Sequence, residues 1–108
     1  MNPDQNKKQI FESLKLTNLT LKNRILRSAT AEAIAAPDGS IDEKLFSRYE
    51  ELSKGGVGAI ITGFTSVASN DGKPEGVMRL SDDNSIPQYK QLTDIVHKDN
   101  CPFLLNLL

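Results

Sequence analysis

Leu14 and Leu16, then Leu19 and Leu21, alternate with polar residues on either side of Thr17-Asn18. Alternation with period two marks a strand with one buried face, and a polar dipeptide between two such runs predicts a short β-hairpin. Residues 24–28 predict a further strand, whose carboxyl end is Ala29-Thr30. Pro37-Asp38-Gly39 then reads as a turn. Beyond it the period lengthens. Leu45, Phe46, Tyr49 and Leu52 recur at helical spacing, and Ser40 and Glu43 have the spacing of a capping box. Glu50 and Lys54 stand four residues apart as an ion pair. The pattern predicts a helix over residues 41–54, stopped by Gly55.

The stretch from Gly55 to Val67 reads GGVGAIITGFTSV. Its unbroken apolar run of Val57, Ala59, Ile60 and Ile61 predicts a strand buried on both faces, as in a parallel sheet covered by helices. The polar exit Thr62, Gly63, Phe64, Thr65 and Ser66 follows. In parallel α/β folds the chemistry gathers at carboxyl edges of strands, which places it here at residues 62–65. Residues 68–84 contain Asp71-Gly72, Pro74 and Gly76 without periodicity, and loops longer than about 12 residues are usually binding segments or lids. Ser85 and Gln88 repeat the capping-box spacing, with Pro87 in the first turn. Tyr89, Leu92, Ile95 and Val96 form an apolar stripe, Asp94 and Lys98 an ion pair, and Asp99-Asn100 the helix end. A third strand is predicted over residues 102–108.

Strand and helix therefore alternate, long loops follow strands, and short turns follow helices. That asymmetry predicts an α/β chain forming part of a (β/α)₈ barrel: a hairpin, about three parallel strands and two helices. A whole barrel needs about 250 residues, against 108 here. Three strands alone leave a sheet face and two edges open. The expectation is an amino-terminal portion of a larger enzyme, truncated at the third strand. The alternative is a small open α/β module completed by dimerisation.

Charge and composition narrow the function classes. Thirteen basic and 14 acidic residues leave a net charge of −1, which calls for neither nucleic acid nor an anionic membrane surface. A hydrophobic share of 38% suffices for a core over residues 10–108, and residues 1–9 read as a disordered polar tail. Cys101 is the sole cysteine, so no internal disulfide forms and a reducing, cytoplasmic setting is expected. No apolar run approaches the roughly 18–20 residues of a membrane helix. Asp82-Asp83 lacks the spacing of a calcium loop, and the glycines at 55, 56 and 58 precede a strand instead of joining a strand to a helix, unlike a dinucleotide fingerprint. His97, near a helix end, complements the dipole. No metal site is expected.

LTNLTLKNRILRSAT, DGSIDEKLFSRYEELSKGGVGAIITGFTSV and IPQYKQLTDIVH, in this order, resemble the amino-terminal part of the Old Yellow Enzyme family of NADH:flavin oxidoreductases. The resemblance covers residues 11–108. It implies an FMN-dependent barrel that takes hydride from NADH or NADPH and passes it to an activated alkene or a related small-molecule electrophile. It also implies that Ser28 and Ala29 meet the flavin through their backbone, that the Thr30 hydroxyl donates to the flavin C4 carbonyl, and that Gly63 lets the second barrel strand approach the ring. Asn106 falls where the family usually has glutamine at the pyrimidine edge. Many members carry Ala-Pro-Met before the threonine, where this chain has Arg27-Ser28-Ala29. The family's substrate-binding His/Asn pair, proton-donating tyrosine and phosphate site align beyond Leu108. A fragment inactive by itself is therefore expected, with a missing barrel portion or a homo-oligomer as partner. The competing expectation is a noncatalytic remnant or assembly module without cofactor.

Overall fold

A computed structural model describes residues 8–68, 72 and 74–108. Most of the predicted 1–9 tail and the Asp71 half of the Asp71-Gly72 turn lie outside the described residues; Gln9 opens a single 3-10 turn, Gln9–Phe11. The hairpin is present as β1 (Leu14–Lys15) and β2 (Thr20–Leu21), antiparallel with Leu14 opposite Leu21. Its turn closes where Thr17-Asn18 predicts it, with the Leu16 N–H donating to the Leu19 carbonyl at 2.7 Å.

Strand β3 (Leu26–Arg27) is shorter than the predicted 24–28. The Asn23 side chain replaces ladder pairing before it, accepting from the Ile25 N–H at 3.0 Å and donating to the Gly56 carbonyl at 2.6 Å. Helix α1 (Glu43–Lys54) begins two residues later than predicted, because its cap is Asp42 and not Ser40. The Asp42 carboxylate accepts from the N–H groups of Lys44 and Leu45, two donors that otherwise lack an intrahelical partner. Ser40 instead donates its hydroxyl and backbone N–H to Asp38. Those bonds hold the Asp38 carboxyl below its ordinary range. At the other end Gly56, at φ +98°, takes the left-handed conformation that turns the chain into β4.

Strand β4 (Ala59–Ser66) extends past the apolar run, so the polar residues predicted as its exit belong to the strand itself. Thr62, Thr65 and Ser66 are fully buried there. β-branched threonine suits a pleated buried strand when its hydroxyl is bonded. The stretch after it also holds a strand that the pattern does not reveal, β5 (Met78–Arg79). Two residues are too few to establish a period. A 3-10 turn, Asp83–Ser85, capped by Asp82, leads into helix α2 (Ile86–His97). Ser85 is already in helical conformation and caps nothing, and Gln88 accepts from the Ile41 N–H at 3.1 Å, tying α2 to the start of α1. Asp94 pairs with Lys90 one turn earlier and not with Lys98, whereas Glu50 and Lys54 pair as expected. Strand β6 (Phe103–Leu107) ends the described fold.

β4 is the centre of a four-stranded parallel sheet. It pairs with β3 at Ala59 and Ile60, with β5 at Thr65 and Ser66, and with β6 along its length. Because β6 occupies one edge throughout, β3 and β5 share the other. Both helices cover the same face, where Leu45 and Tyr49 of α1 meet Ile60, Leu92, Val96 and Phe103 in one apolar cluster. Tyr49 packs edge-on against Phe103, ring centroids 5.2 Å apart. Alternation turns Leu26, Ile61 and Leu104 to the opposite face, where Leu26 and Leu104 are exposed. This is a partial (β/α) barrel, with helices outside and an open inner face. Among the described residues no helix is long and apolar enough to cross a membrane.

Leu92 is fully buried between α2, α1 and the sheet. Leu92→Ala is expected to lower the unfolding free energy by about 2–5 kcal/mol in urea titrations. A loss within about 0.5 kcal/mol, the range of surface substitutions, would contradict this packing.

Candidate functional site

The predicted site residues lie at the carboxyl ends of three neighbouring strands. Ser28, Ala29 and Thr30 follow β3 and are exposed, Gly63 is buried in β4, and Asn106 is half-buried in β6. Thr30 and Gly63 are in direct apposition. A methyl group on Gly63 would stand 2.5 Å from the Thr30 carbonyl oxygen and 3.3 Å from Ala31 Cα, so only glycine lets the β3 exit lie against β4. Asn106 sits across β4's other edge, opposite Phe64. Thr30, Gly63 and Asn106 thus form a row across the sheet end, with Ser28 and Ala29 leading into it.

Two side chains in this row bear polar groups suited to a ligand. The Thr30 hydroxyl donates to the Ser28 carbonyl at 3.1 Å. The Asn106 carboxamide, with its two donors and one acceptor, makes no hydrogen bond among the described residues, although its backbone N–H donates to the Thr62 hydroxyl at 3.1 Å. No charged side chain belongs to the row. Such a set suits the edge of a neutral planar heterocycle that alternates acceptors and donors, as a flavin does. Among the described residues no cluster of His, Cys, Asp or Glu is placed to hold a metal ion.

Behind the row, on the helix side, lies a charged group that the sequence pattern does not expose. The Glu32 side chain is only 7% exposed, and one carboxylate oxygen accepts from Arg27 while the other accepts from Arg48 at 2.8 Å. Arg27 Nη1 is buried and makes no regular hydrogen bond among the described residues, although the Arg27 side chain lies close enough to the Tyr49 hydroxyl to act on it. The pair joins β3 to the loop after it, and Arg48 adds α1. Breaking a buried pair leaves an uncompensated charge and typically costs about 3–5 kcal/mol, so this cluster fixes the β3 exit firmly. The available signal was an arginine inside a short apolar strand, which requires a nearby carboxylate. A cavity of about 180 Å³ adjoins the cluster, lined by Ala31, Glu32, Tyr49, Gly63, Val77 and Met78 among others.

The Tyr49 hydroxyl reaches the same place from α1, accepting the Gly63 N–H at 3.3 Å. Burial raises its pKa above the ordinary value, the Gly63 N–H opposes that shift, Glu32 adds to it, and Arg27 opposes it. Tyr89, whose hydroxyl donates to the Arg79 carbonyl at 3.1 Å, is pushed up to about 12, again chiefly by burial.

The family model for the NADH:flavin oxidoreductase / NADH oxidase family matches residues 9–108. The chain belongs to that family. Among curated relatives it is 34% identical over 101 residues to the N,N-dimethylglycine/sarcosine dehydrogenase of Chromohalobacter salexigens, covering 91% of this chain and 14% of that protein. It is 33% identical over 89 residues to the NADH oxidase of Thermoanaerobacter brockii, covering 82% and 14% respectively. Among solved structures, Old Yellow Enzyme from Pichia sp. AKU4542 superposes with a TM-score of 0.84 at 22% identity, over 92% of this chain and 26% of that one. The old yellow enzyme from Trypanosoma cruzi gives 0.78 at 25% identity, over 93% and 26%. The chain therefore spans a seventh to about a quarter of these family members. Its partial barrel is the family's fold, FMN is the family's cofactor, and its relatives include an NADH oxidase and an NADPH dehydrogenase.

The two tyrosines give a pH prediction. Both are raised in the folded state from 10.0, so protonated phenols favour the fold. The stabilisation is complete below pH 10 and is lost as pH rises from there toward 12. Phenolate absorbance is expected to stay flat through pH 10 and to rise only as the chain unfolds. A reversible rise centred on the ordinary tyrosine value, with the fold intact, would contradict the burial of these hydroxyls.

Proposed function

We propose that this chain supplies the flavin-binding strand ends of an FMN-dependent NAD(P)H oxidoreductase of the ene-reductase type. The observation that carries the reading is the row formed by Thr30, Gly63 and Asn106 at one end of the parallel sheet. Bound FMN would supply two-electron storage, accepting hydride from NADH or NADPH and returning it to a small-molecule electrophile such as an activated alkene. The chain's own residues bind and orient. Ser28 and Ala29 offer exposed backbone to the ring. Gly63 keeps the centre of the row flat. The unengaged Asn106 carboxamide faces the pyrimidine edge, one methylene shorter than the glutamine usual in the family.

Thr30 has the most demanding role. Its single hydroxyl proton is held by the Ser28 carbonyl, so donation to the flavin C4 oxygen requires the hydroxyl to turn away from that carbonyl, with loss of a bond contributing about 0.5–1.5 kcal/mol. A bond to an oxygen gaining negative charge is stronger than a neutral one. The exchange favours the reduced ring.

A second reading has an observation of its own. Leu26, Leu104, Leu107 and Leu108 are exposed along the open face and the β6 edge, which suits an assembly module that covers them by self-association and binds no cofactor.

Titration of FMN into the purified chain, with size-exclusion chromatography of the same sample, separates the two. The flavin reading predicts saturable quenching of flavin fluorescence, weakened about tenfold in Thr30→Val, the equivalent of roughly 1.4 kcal/mol. The chain alone is expected to show no NAD(P)H-dependent enone reduction. A stable oligomer indifferent to FMN would contradict the flavin reading and support the module.

A further inference from the structure

The ladder between β4 and β6 contains a bulge. Ile61 stands opposite Leu104 and Phe64 opposite Asn106, so Thr62 and Gly63 together face the single residue Leu105. Such bulges leave backbone groups unpaired and are common beside active sites, where they redirect the strand. Here side-chain hydroxyls take the place of the missing ladder bonds. The Gly63 N–H donates to Tyr49 Oη at 3.3 Å, the Asn106 N–H donates to Thr62 Oγ1 at 3.1 Å, and Thr65 Oγ1 donates to the Gly63 carbonyl at 3.4 Å. All three hydroxyl-bearing residues are fully buried.

Gly63 and Asn106 are also two of the residues in the row. We propose that Tyr49 and Thr62 are positioning residues for flavin: their hydroxyls hold the β4 bulge in the one shape that sets Gly63 against Thr30 and aims Asn106 at the ligand. The proposal rests on the flavin reading above and adds residues to it. Tyr49 is well suited to the task because its ring is clamped, edge-on to Phe103 with an interplanar angle of 81°. A rigid phenol on α1 thus connects the outer helix layer to the strand end. Thr62 acts within the sheet, with β-branching that fixes its χ1 and hence its oxygen.

The test uses Tyr49→Phe and Thr62→Val in the full chain, each removing one hydroxyl at nearly constant shape, with Thr62→Ser as the rescue. Two readouts are taken, residue-resolved amide exchange and FMN affinity. An unpaired buried donor favours local opening, so Y49F is expected to speed exchange about tenfold at Gly63, and T62V about tenfold at Asn106. Amides of Leu92 and Val96 in α2 should keep wild-type rates. FMN affinity should weaken about tenfold in both variants and recover in Thr62→Ser. Y49F keeps the ring and its packing on Phe103, so it decides the matter even where T62V fails to fold.

Uniformly faster exchange through α2 would reduce both residues to general stability and overturn the proposal. Local exchange changes with wild-type FMN affinity would overturn it too. Should the wild-type chain bind no FMN, the flavin reading fails, and the positioning role of these residues toward flavin fails with it. The exchange pattern then separately establishes whether the two hydroxyls hold the bulge.

Discussion

The hydrogen-bonded ladder along both edges of β4 is the constraint on which the other elements depend. A strand of eight residues with partners on both sides fixes its neighbours in register wherever the ladder runs, the bulge at Thr62 and Gly63 excepted. β3 is set by Ala59 and Ile60, β5 by Thr65 and Ser66, and β6 by the whole length. Ile60, on the helix side, is the floor on which Leu45, Tyr49, Leu92 and Val96 pack. Parallel neighbours start and end at the same sheet edge, so one register determines both the core and the arrangement of strand ends.

The same strand explains why polarity concentrates where it does. Within its last five residues β4 buries Thr62, Thr65 and Ser66. Buried hydroxyls are tolerated only when bonded, and here they bond to the bulge and to the chain leaving the strand. The cost of polar burial is thus tied to a particular backbone shape. On the β3 side the Arg27–Glu32 pair acts similarly, since removing one partner leaves the other charge largely shielded from water, while the half-exposed Arg48 adds a tether to α1. Two polar clusters, one on each side of Gly63, hold a surface with no charge of its own.

Long-period features were legible in the sequence. The two helices, the parallel order and the position of the hairpin turn follow from apolar spacing, because a helix or a buried strand requires a periodic pattern several residues long. The row at Ser28, Ala29, Thr30, Gly63 and Asn106 came from family resemblance, and the fold assembles it at one sheet end. Local hydrogen-bond choices were not legible. Asp42 displaced Ser40 as cap, Gln88 turned to Ile41 instead of its own helix start, and Asp94 chose Lys90 over Lys98. In each case several partners lay within reach, and tertiary packing selected among them. β5 was too short to carry a pattern. Tyr49 read as one more apolar position in a stripe, since a phenol's ring and its oxygen give the same periodic signal.

The most direct test of the central claim, that one register brings three strand ends into a single flavin platform, is a residue-resolved NMR titration of the chain with FMN. The amides of Ser28, Ala29, Thr30, Gly63 and Asn106 are expected to shift together, with one binding curve, while β1 and β2 stay unmoved. Shifts confined to the hairpin or to the outer face of α2, or separate curves for β3 and β6, would contradict it.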